Sequence, residues 1–294
     1  TIKNKSICIG VAGDSASGKD TFADAVVQLL GHDAVTVLSG DNYHLWDREK
    51  PAWQVVTHLN PMANDLSRYA KDLATLIAGD NVELQEYDHT SGKSRGLSLI
   101  KASQIIVAQG LHALYLPEMR SQYDLKIYLD VEEDIRRRFK IKRDVRERGH
   151  NIDEVLAVFE RRESDSIDFV RPQAEHADVV FSVKNDSFQA YDADYQEHEF
   201  LLCLEIKTTH TRYSESLVAN LVGTCQLEVD LSFVEGCSVL LVRGGVEANL
   251  LSQAAINLCP KALKLTSHTP LWQKDIVGII QLMILYQVEL LLRQ

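Results

Sequence analysis

The chain has 294 residues, of which 45% are apolar and 25% charged, and it carries a net charge of −11. This is globular composition with length for one large domain or two small ones, and the acidic balance excludes a generic nucleic-acid surface. The five cysteines form no CxxC pair, a pattern of reduced thiols that fits a cytoplasmic protein.

The first apolar run, Ile7-Cys8-Ile9-Gly10-Val11-Ala12, reads as a strand and leads into Gly13-Asp14-Ser15-Ala16-Ser17-Gly18-Lys19-Asp20-Thr21. No signal peptide is expected, because that run feeds straight into the glycine loop. Phe22, Val26, Leu29 and Leu30 then recur at helical spacing. Strand, glycine loop, lysine and helix make a P-loop: backbone N–H groups and the helix start form a concavity for phosphate oxygens, and Lys19 reaches the outer phosphates. The residue after the lysine is ordinarily Ser or Thr, whose hydroxyl binds Mg²⁺; here it is Asp20, followed by Thr21.

A second strand, Ala34 to Leu38, ends in Ser39-Gly40-Asp41-Asn42-Tyr43-His44. Ligands of open α/β sheets sit beyond the carboxyl ends of strands. Asp41 and His44 therefore face the expected phosphates, with Asp41 a candidate proton acceptor or Mg²⁺ ligand. Arg48 opens a polar stretch. Helical periodicity runs from about Ala63 to Ala78, and residues 83–95, with Tyr87 and His89, read as a short strand and a polar loop. Gln104 to Ala108 is a continuous apolar strand of the buried parallel kind. It ends in Gln109, where P-loop enzymes commonly carry an acidic metal-supporting residue.

After a further strand, Leu125 to Asp130, a basic helix carries Arg136, Arg137, Arg138, Lys140, Lys142, Arg143, Arg146 and Arg148, and the next helix brings Arg161 and Arg162. Such a concentration in an acidic chain points to nucleotide phosphates and a phosphorylated substrate; a solvated helix partnered by Asp144 and Glu147 is the plainer reading. Residues 184–199 are the candidate boundary between units 1–184 and 185–294. Beyond it, strands are expected from about Phe200, Cys225 and Ser238 and a helix near Glu247 to Asn257. The apolar stretch 276–292 is interrupted by Gln281, Gln287 and Glu289. It falls short of the ~20 apolar residues of a membrane span and predicts a buried or subunit-interface helix.

The chain resembles the phosphoribulokinase/uridine kinase family of P-loop kinases from about Ile7 to Val183. The P-loop carries the resemblance together with Asp41-Asn42-Tyr43-His44, Arg48, Leu59-Asn60-Pro61, Tyr87-Asp88-His89-Thr90-Ser91-Gly92, Gly110-Leu111-His112, Lys140 to Asp144, Arg148-Gly149-His150, Arg161-Arg162 and Pro172-Gln173. Several of these segments are closer to the phosphoribulokinase side of the family. The resemblance implies an α/β fold with a mostly parallel sheet and helices on both faces, extended by a C-terminal α+β section. It implies ATP and Mg²⁺ as cofactors, with Asp20 and Asp41 near the metal and residues Gly13, Asp14, Ser15, Ala16, Ser17, Gly18, Lys19, Asp20 and Thr21 on the nucleotide. Asp41 is similar to the catalytic base, and Lys19 acts with it. His44, Arg48, Tyr87, His89, Lys140, Arg143, Arg148, Arg161 and Arg162 resemble substrate contacts.

Three departures stand out: Gln109 for an acid, Asp20 for a hydroxyl, and Ser17 and Ser39 where plant-type enzymes carry two regulatory cysteines. Asp20 returns a carboxylate to the region that Gln109 leaves without one. The implied activity is ATP-dependent phosphorylation of a small sugar phosphate, D-ribulose 5-phosphate first. A uridine/cytidine kinase and a nucleotide-binding regulator that has lost catalysis are the alternatives. Partners are a small-molecule substrate, with neither nucleic acid nor membrane, and the C-terminal section is the candidate surface for a homo-oligomer.

Overall fold

The computed structural model describes residues 6–147, 151–186, 201–209 and 213–293. In chain order its elements are β1 (Ile7–Gly13), α1 (Lys19–Leu30), β2 (Val35–Ser39), α2 (Pro51–Val55), α3 (Leu66–Ile77), β3 (Val82–Asp88), β4 (Lys93–Ile100), β5 (Ile105–Gly110), α4 (Pro117–Arg120), β6 (Leu125–Val131), α5 (Glu133–Ile141), α6 (Ile152–Asp165), β7 (Val179–Asn185), β8 (Leu202–Thr208), α7 (Glu215–Ala219), β9 (Glu228–Val234), β10 (Cys237–Arg243), α8 (Ala248–Leu258) and α9 (Asp275–Leu291).

The apolar runs of β1, β5 and β6 need cover on both faces, which a parallel sheet with flanking helices supplies. They lie in an eight-stranded sheet of order β2-β5-β1-β6-β7-β8-β10-β9. The pairings from β2 to β7 are parallel; β8, β10 and β9 continue the sheet antiparallel. Strand alternation sorts the core into two layers. Ile9 and Val11 of β1 and Ile105 and Val107 of β5 face α1, α8 and α9, while Cys8, Ala12, Ile106 and Ala108 face Tyr69, Leu73 and Leu76 of α3. Gly10 lacks a side chain because the Tyr123 ring occupies its place: a Cβ there would lie 2.5 Å from the ring.

The strands after residue 201 therefore share one sheet and one core with the P-loop half. The expected boundary segment lies largely outside the described residues. α9 is a buried helix, and two of its three polar interruptions hold backbone groups. Gln281 Nε2 donates to the Ala25 carbonyl at 2.8 Å and Gln281 Oε1 accepts from Gln273 N at 2.8 Å, tying α9 to α1. Glu289 accepts the backbone N–H groups of Lys261 and Ala262 at 2.7 and 2.8 Å, and Gln287 is also buried. Among the described residues, no helix is long and apolar enough to cross a membrane, and all five cysteines are free thiols.

Four local expectations change. Residues 83–95 are not a strand and a loop but most of a two-stranded antiparallel ribbon, β3 with β4. The Asp88 carboxylate closes its turn by accepting the N–H groups of Thr90 and Ser91, and Gly92 supplies a positive φ of 69°. The strand expected from Cys225 starts at Glu228, because Gln226 turns the chain with φ 59°. The basic helix is α-helical only to Ile141 and continues as wider π-helical turns over Lys142–Glu147. α3 starts at Leu66, where Asp65 caps it by accepting from Arg68 N at 3.0 Å.

Replacing Gln281 by Leu is expected to lower stability by about 1–3 kcal/mol, since it strands buried backbone groups. A shift in the chemical-denaturation midpoint at unchanged slope checks it.

Candidate active site

The shape of the glycine loop rests on a few backbone positions. Gly18 has φ 87° and Ala16 φ 66°. At Gly13 a Cβ would stand 2.5 Å from Ser17 Oγ and 2.6 Å from the Leu129 carbonyl oxygen, so the cradle closes only around glycine. The turn is held by Ser17 N on the Asp14 carbonyl at 3.1 Å, and α1 begins with Phe22 N on the Gly18 carbonyl at 2.8 Å. Lys19 Nζ donates to the carbonyls of Gly13 and Asp14 at 3.0 and 2.8 Å. Burial pushes its pKa down, and the charges of Asp41, Asp20 and Asp14 partly restore it.

Asp41 sits on a 3₁₀ turn at the end of β2, started by Ser39 Oγ accepting from Asp41 N at 3.4 Å. Its carboxylate meets His89 Nε2 at 3.1 Å and His44 Nε2 at 3.5 Å. Burial alone would raise the Asp41 carboxyl, but the His89 hydrogen bond and the charges of His44, His89 and Lys19 outweigh it and hold the group well below the usual carboxylate range. Behind Asp41 the side chains are locked. Asn64 donates to the His58 and Asn60 carbonyls at 2.9 Å, which leaves its oxygen to accept from His44 Nδ1 at 2.7 Å. The His44 and His58 rings stack at 3.5 Å, and Tyr87 meets His44 and His89 edge-on at 4.8 and 5.3 Å. Burial drives His58 down to about 3 and His112 to about 4, so both are neutral at pH 7. Arg48 donates to the His89 carbonyl at 3.2 Å. The ribbon turn comes so near that a Cβ on Gly92 would lie 2.9 Å from the Arg48 side chain.

The basic helix divides by function. Arg136 turns to the loop: its guanidinium pairs with the buried Asp14 carboxylate at 2.8 Å and with Glu133 at 2.7 Å. Arg171 adds pairs to Glu163 at 2.7 Å and to Asp14 at 3.7 Å, and Ser166 donates to Asp14. Asp14 thus belongs to a structural network rather than to the cavity lining. Lys140, by contrast, is 3% exposed, with its Nζ 3.4 Å from Ser15 Oγ and 3.9 Å from Asp144. Burial and the Arg162 charge push it down to about 7. Burial and the Arg48 charge push Arg162 to about 10.

A cavity of about 950 Å³ joins these parts. It is lined by the loop from Ser15 to Thr21, by Asp41, His44, Arg48 and His89, and by Lys140, Arg143, Arg161 and Arg162. Of the residues expected on the substrate, Tyr87 stands behind the histidines and Arg148 lies outside the described residues. Sequence reasoning missed two groups. His58, which also lines the cavity, sits just before the Leu59-Asn60-Pro61 turn and carried no motif of its own. The apolar end of the cavity comes from Val183, Leu202, Ile276, Val277 and Ile280, which only the tertiary fold brings to the P-loop. Among the described residues, no three His, Cys, Asp or Glu side chains gather into an all-protein metal cage. Two carboxylates, Asp20 and Asp41, stand close enough to Lys19 to act on its charge.

A mostly parallel sheet with a glycine cradle at the end of β1, a lysine opening α1 and helices on both faces defines a P-loop protein. Residues 8–188 match the family model described as "Phosphoribulokinase / Uridine kinase family", and the chain belongs to that family. It is 36% identical over 177 residues to phosphoribulokinase of Synechocystis sp., covering 60% of this chain and 53% of that protein. It is 33% identical over 198 residues to chloroplastic phosphoribulokinase of Spinacia oleracea, covering 62% and 49%. It is 32% identical over 176 residues to uridine kinase of Deinococcus deserti, covering 58% and 85%. The chain thus spans about half the length of these two phosphoribulokinases. Phosphoribulokinase from Rhodobacter spheroides shares the fold with a TM-score of 0.63 at 17% identity, over 98% of both chains.

An anion in the cavity favours charged Lys140, whose charge is present below about pH 7 and lost above it. Sulfate affinity is expected to fall several-fold from about pH 6 to about pH 8, with proton uptake on binding at the higher pH. Calorimetry in buffers of different ionisation heat measures this, and Lys140→Arg flattens the profile.

Proposed function

We propose that the chain is an ATP-dependent kinase whose acceptor is a small phosphorylated sugar, D-ribulose 5-phosphate first. One observation carries the acceptor class. Arg48 and Arg162 lie close enough for the charge of one to lower the pKa of the other, and they share the cavity with Asp41, Lys140 and Arg161. That is more positive charge than one nucleotide requires, and a second phosphate relieves the repulsion.

On this reading the cradle from Gly13 to Thr21 and Lys19 bind the β- and γ-phosphates, and the apolar end of the cavity at Leu202, Ile276 and Ile280 receives the base. The residues named at that end offer apolar contact area, so GTP is expected to compete with ATP. Asp20 and Asp41 would hold Mg²⁺, which neutralises charge on the β- and γ-phosphate oxygens. Arg48, Arg161 and Arg162 hold the acceptor's phosphate, and His44 and His89 fix the Asp41 carboxylate. Asp41 accepts a hydrogen bond from the acceptor hydroxyl. The new O–P bond forms in line as the bond between the γ-phosphorus and the β-bridging oxygen breaks; the hydroxyl proton passes to Asp41 and ADP leaves. Lys19, Lys140 and Arg143 stabilise charge on the transferring group. Free thiols suit a reducing compartment, to which we assign the chain.

ADP release should appear with D-ribulose 5-phosphate and not with uridine, cytidine or unphosphorylated pentoses. Asp41→Asn should lower kcat by about 10²–10⁴-fold. Turnover with a nucleoside alone would move the reading to a uridine/cytidine kinase. ATP binding with no turnover on any acceptor would leave a nucleotide-binding regulator.

We also infer self-association through the outer strand β9, where Leu231 and Val234 are 51% and 52% exposed. Sedimentation should give a dimer or larger, and Leu231→Lys should shift it to monomer; a monomeric native chain rejects this surface.

A further inference from the structure

P-loop proteins hold their cation with a hydroxyl after the loop lysine and an acidic side chain on a neighbouring strand. This chain has a carboxylate in the first place and an amide in the second. The fold brings the two substitutions into contact. Gln109 Nε2 donates to Asp20 Oδ1 at 3.0 Å and to Ser39 Oγ at 3.1 Å. Gln109 lies near the end of β5, in register with Val11 of β1 and Ser39 of β2, and is 3% exposed. Asp20 stands in the first turn of α1 and is exposed to the cavity.

Asp20 is not there as a cap. The N-cap of α1 is Gly18, and no side chain caps the helix. Its carboxylate gains from the positive end of the helix and acts electrostatically on Lys19. One of its oxygens is engaged by Gln109. An amide suits this contact, because a second carboxylate in its place would repel the first at hydrogen-bond distance. Gln109 is itself oriented by Ser39, whose hydroxyl also meets the N–H of Asp41. The chain Ser39–Gln109–Asp20 thus couples both carboxylates beside Lys19 through one buried amide.

We propose that the cation-holding carboxylate has changed places in this chain, from the end of β5 to the first turn of α1. Asp20 is a protein ligand alongside Asp41, and Gln109 is a positioning residue that aims it. This rests on the kinase reading above. It goes beyond that reading in assigning Gln109 a role and in making the pair exchangeable: a hydroxyl at 20 with an acid at 109 does the same work.

The test measures Mn²⁺ affinity by electron paramagnetic resonance of free Mn²⁺, with a non-hydrolysable β,γ-imido ATP analogue present. Fluorescent-nucleotide affinity in EDTA is the metal-free control. Asp20→Thr should weaken Mn²⁺ binding by about tenfold or more and leave metal-free nucleotide binding at least as tight. Adding Gln109→Glu to Asp20→Thr should restore Mn²⁺ affinity to near the native value. A role confined to packing predicts no such rescue. Gln109→Met with Asp20 intact should weaken Mn²⁺ by about tenfold with the nucleotide control unmoved, and this variant carries the test if the glutamate disturbs the strand end. Native Mn²⁺ affinity in Asp20→Thr, or in Gln109→Met, overturns the proposal, as does a folded double variant no better than Asp20→Thr. A native chain that binds no nucleotide in EDTA overturns the kinase reading, and the proposal with it.

Discussion

The buried pair of Asp14 and Arg136 is the constraint on which the glycine loop depends. A carboxylate in the second position of a glycine loop opposes the purpose of that loop, because it repels phosphate. The structure removes the conflict by turning Asp14 away from the cavity. Arg136 takes one oxygen at 2.8 Å, Ser15 N takes the other at 2.6 Å, and Ser166 and Arg171 close the shell. Burying such a pair is costly unless every remaining hydrogen-bonding site is satisfied, and here Glu133, Glu163 and the Phe159 ring, 4.6 Å from the Arg136 guanidinium, complete the arrangement. The consequence is geometric. α5 and α6, which carry Lys140, Arg161 and Arg162, are fastened to the glycine loop, so both halves of the basic cavity lining keep a common frame.

The C-terminal section contributes to the site through packing. α9 lies on α1, pinned by Gln281 to the Ala25 carbonyl, and β8 continues the sheet beyond β7. Ile276 and Leu202 thereby reach the cavity from two separate elements of that section. Apolar contacts of this kind are non-directional and depend on area, so they specify a wall without any residue pattern at the ligand end.

This explains which parts were legible in the sequence. The P-loop, the buried strand β5 and the helix of Leu66, Tyr69, Leu73 and Leu76 are encoded within a dozen residues, and each follows from spacing alone. The turn carrying Asp41 and His44 was equally local. The basic run was legible as charge but not as geometry: spacings of four and three put Arg136, Lys140 and Arg143 on one helical face, whereas Asp14, more than a hundred positions away, draws Arg136 out of that group. β4 was overlooked because its alternation is weak and mostly exposed; its place depends on pairing with β3. The apolar cavity wall and the Gln109–Asp20 contact join distant segments, and no local pattern contains them.

On the kinase reading, the acidity of Asp41 bears on the order of events. A general base works best with a pKa near the working pH, yet His89 and the charges around Asp41 hold it far below. Phosphoryl transfer with a loose transition state makes little demand on early deprotonation, because the attacking hydroxyl keeps its proton until the new bond is well advanced. A permanently ionised carboxylate suits that sequence. It orients the hydroxyl as a hydrogen-bond acceptor, stays available to a cation, and receives the proton only once the oxygen has become strongly acidic through bonding to phosphorus. The histidines then serve as orienting partners of the carboxylate, while burial keeps His58 and His112 neutral.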